Sequence, residues 1–495
     1  FDVLLMTQLA TTIAAQVARW PLIWNYDTAM FELAQVCTPV GVAFFLTALP
    51  EISTSQRYAG LPPDDRVTYL NVLRGKSSVI HEFFVNVIEN SNDPRVQEVC
   101  MRGFQKYIEC RCVHGSILSS SPLLKGVFEA LCFATDERLV QASRDFAIAS
   151  IESIDETSDE FFDSAHLQHL VGGLMKYVAH PITGSIEQSM VGAKPDNERA
   201  FLLVDVLCQA SDSIVPATFK NSGDKSAAMQ SLMPLFRNLL RATMHFSWNV
   251  VRPTLFAWRT IVDHYFPALD GLMQQVTEAI VCAAQYTEEY ETTMDAFDRD
   301  EYQEYRNDCR DALRYFCDPE LRPSTFREVV NIALTHLNSV GSKRGCNWRL
   351  LEAGLHGVGA LNKFCHENEP ALVPLFEGLH SIASELSMNP SIYCSAVILV
   401  GQNSHWVRAH PGFVSVAFNI VASSLSIPAG SNEVYPMRLK QNHVGCIAFA
   451  KLCEKNARPY FESHPEFFFP LCDQLWTRQL PDMSCSDKVI VLHGL

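Results

Sequence analysis

Charge is scarce in this sequence, and basic charge is scarcest. Only 19% of the 495 residues are charged, with 39 Lys and Arg against 55 Asp and Glu, a formal net charge of −16. No long run of Lys or Arg occurs, which argues against nucleic acid as the main ligand, because phosphate binding draws its affinity from clustered cations. The nearest basic set is Arg237, Arg241, Arg252 and Arg259, and helical spacing puts only Arg237 and Arg241 on one face. A basic protein surface is the better electrostatic partner.

The motifs of catalysis are missing too. The chain has no glycine-rich loop ending in Gly-Lys-Ser/Thr, no G-x-S-x-G elbow and no H-E-x-x-H, so a binding protein without a cofactor is expected rather than an enzyme. No run of 18 or more uncharged apolar residues occurs; Leu235 to Val251, for example, is broken by Arg237, Arg241 and His245. No membrane insertion is expected. No secretory leader is evident, and the 16 cysteines are spread from Cys37 to Cys485 within apolar helical patterns. They read as reduced, mostly buried thiols of a cytosolic or nuclear protein. The opening residue, Phe1, lies inside a helical pattern, and the last stretch, SDKVIVLHGL, opens a helix with Ser486 as its cap candidate. The sequence therefore reads as the central fragment of a longer chain.

What is present is helix. Apolar residues recur at spacings of three and four nearly throughout, and nothing alternates for long enough to be a strand. Helices are expected over Arg66–Ile88, Pro94–Cys112, Pro122–Phe133, Glu137–Ile154, Glu198–Ser211, Met229–Phe246, Val250–Tyr265 and Leu272–Gln285. They continue over Glu301–Phe316, Thr325–Leu337, Trp348–Phe364, Ala371–Leu386, His443–Glu454 and Pro459–Trp476. Short punctuation such as SNDP, SSSP, NEP and AHPG separates them, giving a rhythm of antiparallel hairpins. Two helices with their connections take roughly 40 to 50 residues, the period of HEAT-type repeats; Pro94–Phe133 and Glu137–Val178 read as two such pairs. A single pair cannot bury its apolar face, so neighbours must stack. The expected fold is all-α, an α-solenoid of HEAT-type helix pairs, continuous over 1–495 because no Gly/Ser-rich linker interrupts it; irregular helical domains are the alternative.

Three clusters stand out as candidate sites. Cys110, Cys112 and His114 in YIECRCVHG crowd a tetrahedral metal and lack an obvious fourth ligand, so a buried helix end is the better reading. Cys365 and His366 likewise read as a helix terminus. The aromatic tract FESHPEFFFPLCDQLW, Phe461 to Trp476, reads as repeat core before peptide groove. The strongest anomaly is acidic: from Tyr286 to Asp311 ten Asp or Glu face three Arg. Part of it is ordinary helix physics. A helix from Glu301 to Phe316 buries Tyr302, Tyr305, Cys309, Ala312, Leu313 and Phe316 on one face, with Asp298 to Glu301 at its favourable N-terminal end. The upstream half reads as an exposed loop. The segment Glu288, Glu289, Glu291, Asp295, Asp298, Asp300, Glu301 and Glu304 is the candidate partner surface, against the plainer reading of a solvated charge run.

Several stretches resemble, in order, the importin-β (karyopherin) superfamily, in particular its transportin-3 and importin-13 branch. MTQLATTIAAQVARWPLIW (Met6 to Trp24) leads to FFLTALPEISTS (Phe44 to Ser55), similar to the branch's apolar helix ending in Leu-Pro-Glu-Glu, with Ile52 in place of the second Glu. Gly115 to Ile154 resembles a pair of its HEAT helices. EYQEYRNDCRDALRYF (Glu301 to Phe316) is similar to its acidic segment and Phe/Tyr-Arg-x-x-x-x-Asp helix through Tyr305, Arg306 and Asp311. Trp348, Glu352 and Ala353 match its Trp-x-x-x-Glu-Ala helix, and Asn442 to Phe461 resembles a later Ala-rich helix. The resemblance implies a shuttling receptor of nucleus and cytoplasm that binds protein cargo, Arg-Ser-rich splicing factors or other RNA-binding proteins, under control of the small GTPase Ran in its GTP form, and passes nucleoporins. It also implies that the N-terminal Ran-gripping repeats and the C-terminal repeats lie outside this sequence. A HEAT scaffold of a stable complex, and an exporter or bidirectional carrier, remain the alternatives.

Overall fold

The computed structural model describes residues 3–19, 37–54, 63–154, 164–178, 186, 197–264, 269–317, 322, 324–340, 347–382, 389–425, 443–454, 462, 465–474, 476–477 and 483–494. Trp20 to Trp24, Ser55, Asn442 and the stretch from Pro459 to Phe461, which carry parts of the quoted motifs, lie outside them. Among the described residues the structure is helical, with no strand. The chain divides into two compact units, Phe1–His264 and Tyr265–Leu495.

The first unit holds α1 (Val3–Arg19), α2 (Pro39–Thr54), α3 (Pro63–Gly75), α4 (Ser77–Glu89), α5 (Pro94–Glu109), α6 (Gly115–Ser119), α7 (Pro122–Phe133) and α8 (Glu137–Glu152). It continues with α9 (Ser164–Val178), α10 (Asn197–Asn221), α11 (Lys225–Thr243) and α12 (Trp248–Asp263). The helix starts follow from their caps. Asp93 accepts from the Arg95 amide at 3.0 Å with Pro94 behind it, and Asp136 accepts from Arg138 and Leu139 at 3.0 Å each. Each cap satisfies amides that a helix start cannot pair internally, while proline fits the first turn without losing a bond.

These caps also set the hairpins. The Asn90–Asp93 turn folds α4 onto α5, and the Ala134–Asp136 turn folds α7 onto α8. The pairs expected at Pro94–Phe133 and Glu137–Val178 are thus displaced by one helix. The reason lies between α5 and α7, where Arg111 adopts φ 57° and closes α5 with Cys112 N–H donating to Tyr107 O at 2.8 Å and Arg111 N–H to Ile108 O at 2.9 Å. That αL cap stops the helix firmly, and the short α6 follows before the next hairpin begins.

One helix of each hairpin packs on its counterpart in the next, so that α2, α5, α8, α10 and α12 form a continuous row. Polar pairs bridge this row: Arg102 to Asp145 at 3.6 Å, Arg144 to Asp205, and Thr260 to Asp212 at 2.6 Å. Half-exposed pairs of this kind contribute about 0–1 kcal/mol each, so apolar burial carries the row. Helix α10 is long and apolar enough to cross a membrane, yet most of it is buried inside the unit and Asp205 and Asp212 interrupt it. Within the α11–α12 hairpin, Trp258 Nε1 donates to Thr243 Oγ1 at 2.9 Å and Thr243 and Thr254 hydroxyls meet at 2.9 Å, all three residues buried.

The second unit repeats the scheme with α13 (Asp270–Ala283), α14 (Glu288–Thr292), α15 (Ala296–Phe316), α16 (Thr325–Val340), α17 (Trp348–Ala360), α18 (Leu372–Ser381), α19 (Pro390–Gln402), α20 (Ser404–Ala409) and α21 (Val414–Leu425). Helices α22 (443–454), α23 (Pro465–Gln474) and α24 (Cys485–Gly494) follow. Here α15, α17 and α19 pack in sequence as one row, beside α13, α16 and α18. Small residues let the backbones approach: a Cβ on Gly354 of α17 would come within 2.9 Å of Ala333 Cα on α16.

Among the described residues thirteen cysteines are free thiols, buried except for the half-buried Cys37 and Cys282, in line with the mostly buried thiols expected. Burial pushes Cys100, Cys112, Cys309, Cys365 and Cys446 up to about 12, which removes thiolate reactivity. Cys110 caps α5 and His114 accepts from the Ser116 amide as the cap of α6. Both residues stand at helix ends, the reading preferred from the sequence, and the Cys110 thiol donates to Pro50 O at 3.5 Å. Cys365 likewise closes the turn that ends α17. In the aromatic tract, Phe469 is 68% and Trp476 64% exposed, which corrects the expectation of core at those two positions.

Candidate functional site

The acidic segment is helical where the sequence suggested a loop. Thr287 caps α14 by accepting from the Tyr290 amide at 3.2 Å, and Asp295 caps α15 by accepting from the Asp298 amide at 2.9 Å. Helix α15 thus begins at Ala296, five residues ahead of the expected Glu301, with Asp295 as its N-cap. Glu288, Glu289 and Glu291 occupy α14, Asp298 the first turn of α15, and Asp300, Glu301 and Glu304 its next turns. All are exposed except Glu301, which is half-buried. Glu291 reaches Arg349 on α17 at 2.7 Å, tying α14 to that row.

Behind this acidic ridge lies a tyrosine stack. Rings follow one another from Tyr286 to Tyr290 at 4.7 Å, Tyr302 at 5.4 Å and Tyr305 at 5.6 Å. Tyr305 donates its hydroxyl to Ala283 O at 3.0 Å and Tyr302 donates to Gln285 O, so the end of α13 is pinned to α15. Arg299 Nε donates to Tyr290 O at 3.0 Å and fixes α14 on the same stack. Burial pushes the Tyr286, Tyr302 and Tyr305 phenols far up, so they stay neutral donors. The ridge is therefore held on a rigid backing.

Arg306 and Glu352, each 1% exposed, form the core of that backing. Arg306 Nη2 donates to both Glu352 oxygens at 2.8 and 2.7 Å, and Ser395 on α19 donates to Glu352 Oε1 at 2.6 Å. The guanidinium also lies 3.7 Å from the Tyr286 ring centroid, a cation–π contact strengthened by desolvation. Burial works against the charge on Arg306, but Glu352 outweighs it and holds the guanidinium pKa up. One carboxylate thereby joins three successive helices of the row, α15, α17 and α19.

The Tyr305-Arg306 and Trp348-Glu352 motifs, read separately in the sequence, meet in this pair. Asp311, the third member of the first motif, is exposed and pairs locally with Arg314 at 3.0 Å. The sequence did carry a signal for the buried pair. Arg306 falls four residues from Tyr302 and seven before Leu313, inside the apolar stripe of its helix, and Glu352 stands between Leu351 and Ala353. A lone charge in an apolar stripe needs a buried counter-charge. Chemically, the site offers ordered carboxylates on a stiff support, a geometry for gripping cationic side chains.

No family model matches the sequence, and no curated protein matches it. Solved structures do. Importin-13 in its cytosolic state is similar over 99% of this chain with TM-score 0.74 and 12% identity. Kap121p is 11% identical with TM-score 0.43, covering 99% of this chain and 45% of its own. Kap95p bound to RanGDP is 11% identical with TM-score 0.37, covering 98% of this chain and 59% of its own. The chain spans 57% of the length of importin-13. The fold is the all-α HEAT-type solenoid that importin-13 also has.

Proposed function

We propose that this chain is part of a nuclear transport receptor of the importin type, from the transportin-3 and importin-13 branch, and that its helices form one array continuous over residues 1–495. The observation that carries the reading is the fold shared with importin-13 over 99% of the chain, joined to sequence motifs that follow the branch in order. The mechanism is binding, with no covalent step: cargo and Ran-GTP compete for the receptor, coupled by about 1 to 3 kcal/mol. The cargo class is Arg-Ser-rich or RNA-binding protein, nucleoporins are the transit partners, and the receptor shuttles between nucleus and cytoplasm.

Within this reading the ridge from Glu288 to Glu304 meets a basic surface of Ran or of cargo. Charge reversal tests it, and the structure dictates which residues to reverse. Asp295 caps α15, and losing such a cap costs about 0.5–2 kcal/mol, so Asp298, Asp300 and Glu304 are the informative positions. Reversing these three in the complete receptor weakens Ran-GTP or cargo binding and flattens its salt dependence while leaving the fold intact. Unchanged affinity at low salt returns the ridge to a solvated surface. Co-purification with a stoichiometric partner, whatever nucleotide Ran carries, marks a scaffold instead.

A further inference from the structure

Helix α15 carries an aromatic ring on its solvent side. Phe297 is 69% exposed, and among the described residues no other ring and no cation stacks on it. Single exposed apolar residues are common, but Phe297 opens a stripe that is otherwise carboxylate. Asp300, Glu301 and Glu304 follow it three, four and seven residues on, so all four share one helix face, away from the buried Tyr302, Tyr305 and Cys309. Among the described residues none of these three carboxylates has a cation within ion-pair distance. The arginines of the same stretch are engaged elsewhere: Arg299 Nε donates to Tyr290 O, and Arg306 is buried on Glu352.

An uncovered ring one turn from carboxylates without counter-charges is complementary to a flat cation. Taking the ridge as a partner surface, on which this step rests, we propose that Phe297 makes it select arginine over lysine in the protein segment it binds. The guanidinium lies on the Phe297 ring while its N–H groups reach Asp300 or Glu301, whose side chains lean back along the helix towards that ring. Planarity and weak hydration let arginine make both contacts at once. A lysine ammonium, compact and strongly hydrated, keeps the attraction of the carboxylates and gains less from the ring. An exposed cation–π contact amounts to about two- to fivefold in affinity.

The test uses the whole chain and two fluorescence-labelled peptides, Gly-Arg-Gly-Arg-Gly-Arg-Gly and its lysine counterpart, read by polarisation at low salt. The arginine peptide binds about two- to fivefold more tightly. Phe297→Leu, which keeps an apolar side chain without a π face, brings the arginine peptide down to the lysine one and leaves the lysine affinity nearly unchanged, whereas Phe297→Trp widens the gap. Both changes fall at an exposed position and leave the circular dichroism spectrum unaltered. Equal affinity of the unaltered chain for the two peptides, or an arginine preference that survives Phe297→Leu, overturns the selectivity and leaves the ridge as a partner surface. Asp300→Asn with Glu304→Gln weakens both peptides; if neither responds to that change, the ridge is not the binding surface and both readings fall.

Discussion

Removing the Glu352 carboxylate is the sharpest perturbation the structure offers. Glu352→Ala strips Arg306 of both short bonds and leaves a guanidinium that is 1% exposed, with its Nε already lacking an acceptor. The Tyr286 ring, 3.7 Å away, still faces the charge. Breaking one side of a buried pair costs about 3–5 kcal/mol, because the surviving charge remains uncompensated. Ser395→Ala removes a single charge-assisted bond and costs about 1.5–3 kcal/mol. The double change Arg306→Met with Glu352→Leu removes both charges, and buried ion pairs exchanged for apolar groups of similar size are often neutral. It therefore recovers most of the loss. The assay is urea unfolding of the full chain with hydrogen exchange at the amides of α15 and α17, which isolates the second unit. A Glu352→Ala cost below about 1 kcal/mol, or a double variant no better than the single one, refutes the assignment of Arg306–Glu352 as the clasp of three helices.

Three further outcomes are expected. Thr243→Val leaves the buried Trp258 indole N–H without an acceptor and lowers stability by about 1–3 kcal/mol in denaturant unfolding. Gly354→Ala forces α17 away from Ala333 and costs about 1–3 kcal/mol, readable as faster exchange in α16 and α17. Burial lowers His81 and His245 below 6.5, so both contribute stability that is complete above 6.5 and is lost as pH falls from there toward their folded values. His81→Gln, which keeps a partner for Ser121, reduces the stability lost by the first unit between roughly pH 7 and 5.

How legible all this was depends on range in the chain. Helix positions, the Asp93-Pro94 start and the buried face of α15 follow from local spacing and caps, and these the sequence carries plainly. The hairpin partners were displaced by one helix because an αL residue that is arginine gives no glycine signal at position 111. The start of α15 is not legible locally, because Asp295, Asp298 and Asp300 are equivalent cap candidates within one acidic run. Arg306 and Glu352 were each visible as motif members, yet their contact joins helices 46 residues apart. Periodicity within one helix cannot report such a partner. The ordered tyrosine backing of the ridge is likewise a product of packing between α13, α14 and α15.

The central claim is that the chain belongs to a receptor governed by Ran, and one titration addresses it. Affinity of the complete protein for Ran-GTP and Ran-GDP is measured with and without a phosphorylated Arg-Ser domain. The account predicts strong preference for Ran-GTP and release of the Arg-Ser domain on its binding. Tighter cargo in the presence of Ran-GTP would instead mean export, and equal affinity for the two nucleotide forms would contradict the receptor reading and leave a HEAT scaffold.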